Sequence, residues 1–341
     1  MHLLQPELHT RRAFLRRSTQ LGLAGTALPF ALNLAAMGEA AAFTATDYKA
    51  LVCVFLYGGN DYANTVVTYD DDSYNRYSTI RGGGSGQTAG GIALAKADLT
   101  PTLLTPTAAL PGNRQYALHP AMTGLAGLFN SGKAAVQLNV GPLVVPLTRT
   151  QYNSADRTTY PIPPKLFSHN DQQSVWQSSS PEGSTVGWGG NIGDLALSSN
   201  GNSLFTCISV TGNAVFLSGD SALQYQVSTN GAVAIDGVKN NVYGSSAVRT
   251  ALTSLIQQGS TQTLENEYTR VTTRAVTAES QITSGLSAVT LATPFPNNNS
   301  LANQMKMVAR LIGARSALGS KRQVFMVSLG GFDLHDNLIS Q

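Results

Sequence analysis

Two aspartates follow the same short motif at distant points of the chain. Segment 58–61 has the sequence Gly-Gly-Asn-Asp and segment 330–333 has Gly-Gly-Phe-Asp, and each comes directly after an apolar run. If both runs are strands of one parallel sheet, their carboxyl ends lie along one edge, where such sheets bind ligands. Glycines allow the tight turns that this edge requires. We therefore expect Asp61 and Asp333 to converge on one site.

A divalent cation would suit two crowded carboxylates. Their mutual repulsion is relieved when a cation lies between them, and His335, two residues after Asp333, would add a nitrogen ligand. Asn60, next to Asp61, is a further candidate at the same edge. The alternative is that both aspartates are ordinary turn residues, because aspartate is common in turns.

Ser168 is the candidate catalytic nucleophile. A polar segment that we predict to be helical follows it, so Ser168 occupies the N-cap position. There its oxygen would lie beside backbone N–H groups and the positive end of the helix dipole, which suits attack on an anionic ester. His169 and Asp171 are further candidates beside it. The alternative is that Ser168 only caps the helix.

Three apolar runs predict the strands that would position these groups. Residues 49–57 predict a central strand buried on both faces, and residues 134–140 and 324–329 predict two more. His119-Pro120 predicts the start of a helix that Gly132 ends, with His119 in a structural, capping role. A strand, a helix and a strand in this order are typical of a parallel α/β sheet.

The rest of the chain is less regular. Residues 68–90 are polar and glycine-rich and predict a long surface loop, whereas residues 200–245 predict irregular β-rich structure. Residues 247–290 predict helix, and Ser300 is predicted to cap another. We therefore expect an α/β fold, with a mostly parallel sheet flanked by helices and a β-rich and helical insertion at about 200–295.

The first 42 residues have the order of a twin-arginine signal peptide. Arg11-Arg12 precedes a weakly apolar stretch, and Ala40-Ala41-Ala42 supplies a cleavage site, so that the mature chain begins near residue 43. We expect the twin-arginine export machinery to recognise Arg11 and Arg12 and to deliver the protein to the periplasm or the medium. An uncleaved membrane anchor is the alternative; the stretch is too weakly apolar to favour one.

Composition excludes nucleic acid as a partner. Residues 1–42 hold four arginines and two glutamates, which leaves 18 basic and 17 acidic side chains of the 22 and 19 in the whole chain. No clustered basic face is expected from this balance. Because Cys53 lies in an apolar run, we expect it to be a buried free thiol. The two cysteines, Cys53 and Cys207, also permit one disulfide.

These motifs together resemble a known family, the bacterial twin-arginine-exported proteins called domain of unknown function 1501, within the alkaline phosphatase-like superfamily. The resemblance rests on the signal and on strings such as Phe-Leu-Tyr-Gly-Gly-Asn-Asp at 55–61 and Leu-Phe-Ser-His-Asn-Asp-Gln at 166–172. Further matching segments lie at 118–120, 139–141, 176–177, 187–190 and 330–337.

The resemblance implies an alkaline phosphatase-like fold with a metal-dependent site that hydrolyses phosphate or sulfate esters. Asp61 is similar to the superfamily's first-strand metal ligand, Ser168 to its nucleophile, and Asp333 with His335 to a later ligand pair. Zinc, manganese or calcium would be the metal, and a small anionic ester the substrate.

The chain departs from the superfamily pattern in two ways. The later ligand pair is Asp-x-His here instead of Asp-x-x-x-His, and the family continues into further strands that carry an Asp-His pair. We therefore expect the fold to be incomplete at the C-terminus. The alternative function is a non-catalytic exported binding or assembly protein on the same scaffold.

Overall fold

The computed structural model describes residues 46–82, 91–180, 183–334 and 338. The predicted signal, with Arg11 and Arg12, and the candidate ligand His335 lie outside the described residues. The described chain forms two compact units. The larger contains the residues up to Phe55 and Pro142–Leu329, and the smaller contains Leu56–Gly141 and the described residues from Gly330 onward.

The strands and helices are named in chain order. Up to Gly141 they are β1 (Lys49–Leu56), α1 (Tyr62–Thr65), β2 (Val66–Thr68), α2 (Asp71–Arg81), α3 (Lys96–Leu99), β3 (Tyr116–Leu118) and α4 (Thr123–Asn130). From Pro142 they are α5 (Arg149–Tyr152), α6 (His169–Ser178), α7 (Trp188–Ala196), β4 (Cys207–Ser209), β5 (Gln224–Ser228), β6 (Gly231–Ala232), α8 (Asp236–Lys239), α9 (Ser246–Ile256), α10 (Thr263–Ser287), α11 (Ser300–Gly313) and β7 (Arg322–Leu329). Short 3₁₀ turns lie at Thr100–Thr102, Pro111–Asn113, Pro120–Met122, Leu197–Ser199, Ser203–Phe205 and Val215–Leu217.

The larger unit is built on a five-stranded sheet with the order β1-β7-β4-β5-β6. Strand β4 pairs in parallel with both β7 and β5, so that Cys207 lies opposite Val324 on one side and Gln224 on the other. Strand β6 runs antiparallel to its neighbour, β5. The predicted α/β class and mostly parallel sheet are therefore confirmed.

Helices pack on both faces of this sheet. Successive residues of a strand point to opposite faces, so alternate residues of β7 contact different helices. Phe325 and Val327 of β7 pack with α10 and α11 in one core cluster. Val324 and Met326, the alternate residues, pack in a second cluster that includes Ile192 of α7. The burial of Arg322–Val327 throughout β7 follows from this double cover.

Strand β1 forms as predicted but in a different place. Among the described residues it has one strand neighbour, β7, and thus lies at the edge of the sheet. Its residues are partly or fully exposed, and Val54 is 45 % exposed. The prediction of a central strand was wrong because an apolar run predicts burial and does not determine strand order.

Helix α7 approaches its neighbours through glycines. A Cβ at Gly190 would lie 2.1 Å from the Ser218 backbone, and one at Gly193 would lie 2.3 Å from Cys207 Sγ. Asp194 of the same helix accepts hydrogen bonds from the backbone N–H groups of residues 220, 221 and 222 at 2.6–2.9 Å. These contacts fix α7 tightly against β4 and the 3₁₀ turn before β5.

The smaller unit contains a helix where the sequence predicted a loop. Residues 71–81 form α2, and Asp70 caps it by accepting the N–H of Ser73 at 3.0 Å. Asp71 and Asp72 lie in its first turn, where carboxylates favour the helix dipole. The aspartate run therefore starts a helix. Tyr74 and Tyr77 anchor α2 in the core of this unit, one turn apart.

The predicted strand at 134–140 does not form. Leu138 and Val140 are exposed, and Asn139 has a φ of 58°, which interrupts an extended strand. The helix before it was predicted correctly: α4 ends at Asn130, and Gly132 follows its C-cap with a φ of 72°. Strand β3 instead pairs antiparallel with β2 in a two-stranded sheet.

Two further segments were predicted correctly, but Ser300 was wrongly predicted as a helix cap. Residues 200–245 hold the short strands β4, β5 and β6, and residues 247–290 are mostly helical. Helix α11 begins at Ser300, although its capping side chain is that of Asn299. No helix of the described residues is long and apolar enough to cross a membrane.

Candidate functional site

Ser168 caps helix α6 and contacts a buried carboxylate. Its hydroxyl donates a hydrogen bond to Asp171 Oδ2 at 2.6 Å and accepts the N–H of Asp171 at 3.4 Å. Asp171 is 2 % exposed, whereas Ser168 is only partly buried. A hydroxyl that solvent reaches is therefore held against a carboxylate that solvent barely reaches.

Lys165 completes this cluster. Its Nζ lies 3.3 Å from Asp171 Oδ1, and its carbonyl accepts the N–H of Ser168 at 3.0 Å and the Gln172 side chain at 3.1 Å. Lys165 has a φ of 51°, which costs a non-glycine residue of the order of 1 kcal/mol. The turn 165–168 is thus held in a strained conformation that sets the start of α6.

The Ser168–Asp171 pair has the geometry of an activated nucleophile. A serine needs a group within about 2.6–3.2 Å that can take its proton, and that group is usually oriented by a third. Asp171 Oδ2 lies within this distance of the Ser168 hydroxyl, and Lys165 orients the carboxylate. The N-terminus of the ten-residue helix α6 adds partial positive charge where a developing oxyanion would lie. His169, the neighbouring candidate, is exposed on the first turn of the helix.

Asp61 lies in the smaller unit and caps helix α1. Its Oδ1 accepts the N–H of Ala63 at 3.2 Å, and its Oδ2 forms an ion pair with Arg81. Both side chains are about four-fifths buried. Asn60, beside it, exchanges hydrogen bonds with the Thr65 hydroxyl at 2.9 and 3.2 Å. These two polar side chains therefore stabilise the turn into α1.

The two Gly-Gly-x-Asp turns meet within the smaller unit. The Phe332 N–H lies 3.3 Å from the Tyr57 carbonyl, and a Cβ at Gly58 would lie 2.7 Å from the Asp333 backbone nitrogen. Gly58 has a φ of 107°, so both space and backbone conformation require glycine there. Asp333 is exposed.

A divalent cation does not fit the described residues around Asp61. Within the ranges that the structure describes, no three histidine, cysteine, aspartate or glutamate side chains group as metal ligands. Arg81 already neutralises the Asp61 carboxylate. A metal site at this position would require the guanidinium to move away and ligands such as His335 from outside the described residues.

Burial disfavours the thiolate form of both cysteines. Cys53 and Cys207 are free, and no disulfide joins them. Burial raises the pKa of Cys53 to about 11, and burial together with Asp194 raises the pKa of Cys207 to about 12. Neither sulfur is a thiolate at neutral pH.

The family model described as "Protein of unknown function (DUF1501)" matches residues 48–341. The chain belongs to this DUF1501 family. Neither the curated proteins nor the solved structures gave a match.

Two features of this DUF1501 protein were missed by sequence reasoning. The spacing of Ser168 and Asp171 is that of a capping box, and this signal could have identified their contact. The partnership of Asp61 with Arg81 had no such signal, because it depends on helix α2, which the sequence did not predict. Whether Ser168 shares a cleft with Asp61 and Asp333 stays a prediction.

Proposed function

We propose that this DUF1501 protein is an exported hydrolase of phosphate or sulfate esters with Ser168 as its nucleophile. The observation that supports the proposal is the 2.6 Å hydrogen bond from the Ser168 hydroxyl to the buried Asp171 carboxylate at the start of α6. The alkaline phosphatase-like fold and export by the twin-arginine route belong to the same proposal.

The reaction proceeds in two balanced steps. Ser168 Oγ attacks the phosphorus, its proton passes to Asp171 Oδ2, and the bond from phosphorus to the ester oxygen breaks on the opposite side. The leaving alkoxide takes a proton from water, and Asp171 releases its proton to the solvent. Water then attacks the phosphoserine, which releases inorganic phosphate and restores the Ser168 hydroxyl. Lys165 positions Asp171, and the N-terminus of α6 stabilises the charge on the phosphoryl oxygens.

The test is turnover of p-nitrophenyl phosphate, bis-p-nitrophenyl phosphate and p-nitrophenyl sulfate by the purified chain. Ser168→Ala should abolish turnover. Asp171→Asn should lower kcat by roughly 10²–10⁴-fold, as expected for loss of a general base.

Ser245→Ala is the matched control. Ser245 also caps a helix, α9, by accepting the N–H of Val248 at 3.3 Å. Either serine-to-alanine change should cost about 1 kcal/mol of stability from the lost cap, but only Ser168→Ala should stop turnover. Equal activity in both variants would refute the role of Ser168.

A non-catalytic binding or assembly protein is the second candidate. The pairing of Asp61 with Arg81 favours it, because that carboxylate is then structural. Complete absence of turnover on all three substrate classes, with and without added zinc, manganese or calcium, would support this candidate over the hydrolase.

A further inference from the structure

An apolar groove of about 280 Å³ lies in the larger unit close to Ser168. Its wall is mostly aliphatic and aromatic, with Arg149 as its one charged residue; the lining includes Leu143, Arg149, Tyr152, Ile162 and Leu166. Leu143 is 47 % exposed and Tyr152 is 39 % exposed. Small-molecule sites are mostly apolar with a few polar or charged groups, and the lining of this groove has that composition.

The groove is close enough to Ser168 to serve the same ligand. Leu166 lines it, and two residues of chain span at most about 7 Å, so the Cα atoms of Leu166 and Ser168 lie within that distance. A single aryl or short alkyl ester can bridge such a gap. The chain connection therefore places the groove beside the turn that carries Ser168.

Local hydrogen bonds hold the wall of the groove in place. Thr148 and Gln151 form a reciprocal capping box at the start of α5, at 2.8 and 3.3 Å. The Tyr152 carbonyl accepts a hydrogen bond from Arg157 at 2.9 Å, and the Arg157 guanidinium lies 6.0 Å from the Tyr152 ring centre. A wall that is already ordered loses little entropy when a ligand binds.

Arg149 gives the groove its charge preference. The side chain is exposed and forms no ion pair with a carboxylate in the described part of the chain. An anionic head group would bind there without displacing an existing partner.

We propose that this groove binds the apolar part of an aryl or alkyl ester of phosphate or sulfate, and that Arg149 attracts the anionic head. The proposal rests on the proposed function for the identity of the ester, and it predicts a preference for bulky apolar leaving groups over small polar ones.

Binding of phosphonates that cannot be hydrolysed tests the groove separately from turnover. In calorimetric titrations, 1-naphthylmethylphosphonate should bind the unaltered chain at least roughly tenfold more tightly than methylphosphonate, because its ring leaves water. Leu143→Asn should remove most of that difference. Arg149→Gln should weaken both phosphonates without changing the ratio between them.

Leu264→Asn is the control, since Leu264 is 86 % exposed on α10 and does not line the groove. It should leave both affinities unchanged. Equal affinity for the two phosphonates, or an unchanged preference in Leu143→Asn, would overturn the groove assignment. Selective naphthyl binding without ester turnover would retain the groove and reject the hydrolase.

Discussion

At the scale of single residues, Asp61 shows how a partner changes the role of a carboxylate. Its position after a glycine pair is plain in the sequence. The backbones of the two Gly-Gly-x-Asp turns are close, since a Cβ at Gly58 would lie 2.7 Å from the Asp333 nitrogen, but convergence of the two carboxylates stays a prediction. The ion pair with Arg81 was not predictable, since the two residues meet only because α2 folds back beside the turn. The sequence therefore predicted a carboxylate at this turn but not the arginine that pairs with it.

Competition between Arg81 and a divalent cation gives a first prediction. If Asp61 is a metal ligand, as the sequence predicts, the Arg81 guanidinium must move away before a cation binds. Arg81→Gln should therefore bind zinc or manganese more tightly than the unaltered chain, as measured by calorimetry. Asp61→Asn should bind less tightly than either, because it removes a charged ligand. Identical affinities in all three proteins would remove Asp61 from any metal site.

Glu279 gives a prediction about pH. Lys239 Nζ lies 2.9 Å from both carboxylate oxygens, and Thr283 donates to one of them at 2.8 Å. Burial acts to raise the pKa of Glu279, but the hydrogen bonds from Lys239 and Thr283 outweigh it and lower the pKa from 4.5. The unfolded chain then binds more protons, so this stabilisation is present above pH 4.5 and is lost as pH falls through the lower folded value.

Chemical denaturation of Glu279→Gln should show this dependence. The variant should be less stable than the unaltered chain at pH 7, by roughly 1–2 kcal/mol, and the difference should shrink below about pH 4. Glu267→Gln on the same helix is the control, since its pair with Arg270 is largely exposed and should contribute less than about 0.5 kcal/mol. A difference that persists unchanged at pH 3 would contradict the linkage.

At the scale of elements, the sequence predicted individual helices and strands better than it predicted which of them pack together. Helices with a clear cap or stop, such as α6 after Ser168 and α4 before Gly132, were found where expected. Helix α2 was missed because glycines after residue 81 made the whole segment look like a loop. The apolar run at 134–140 failed as a strand because Asn139 adopts a left-handed conformation, which composition does not reveal.

The close packing of α7 gives a prediction at this scale. Gly193→Ala should lower the free energy of unfolding by roughly 1–3 kcal/mol, because the new methyl would overlap Cys207 Sγ in a filled core. Gly127→Ala in helix α4 is the matched control: nothing lies within 4 Å of its new Cβ, so it should stabilise the chain by up to about 1 kcal/mol.

Adding Cys207→Ala to Gly193→Ala removes the sulfur atom that the methyl would meet. The double variant should be more stable than the sum of the two single changes predicts, as measured by thermal unfolding. Strictly additive changes in stability would show that the 2.3 Å distance between the new Cβ and Cys207 Sγ is not what destabilises Gly193→Ala.

At the scale of the whole molecule, the α/β class could be predicted and the strand order could not. Apolar runs and intervening helices indicated a parallel sheet. The adjacency of β1 and β7, and the central place of the three-residue strand β4, depend on long-range packing that no local pattern encodes. For the same reason the sequence did not predict that the chain forms two compact units.

Export is the whole-molecule prediction. Replacing Arg11-Arg12 with Lys-Lys should leave the precursor in the cytoplasm, because the twin-arginine receptor reads the paired guanidinium groups. Cell fractionation measures this, and mass spectrometry of the exported protein should find an N-terminus near residue 43. Normal periplasmic yield of the Lys-Lys variant would show that another route carries the protein.

The pairing of β1 with β7 has a consequence for synthesis on the ribosome. Arg322, at the start of β7, forms an ion pair with Asp47, a residue 275 positions earlier. At 5–20 residues per second, translation of that interval takes roughly 15–55 s. Strand β1 is therefore made early but waits for its neighbour until most of the chain has emerged. Throughout that interval its unpaired backbone N–H and C=O groups and its apolar side chains are open to chaperones and to other nascent chains.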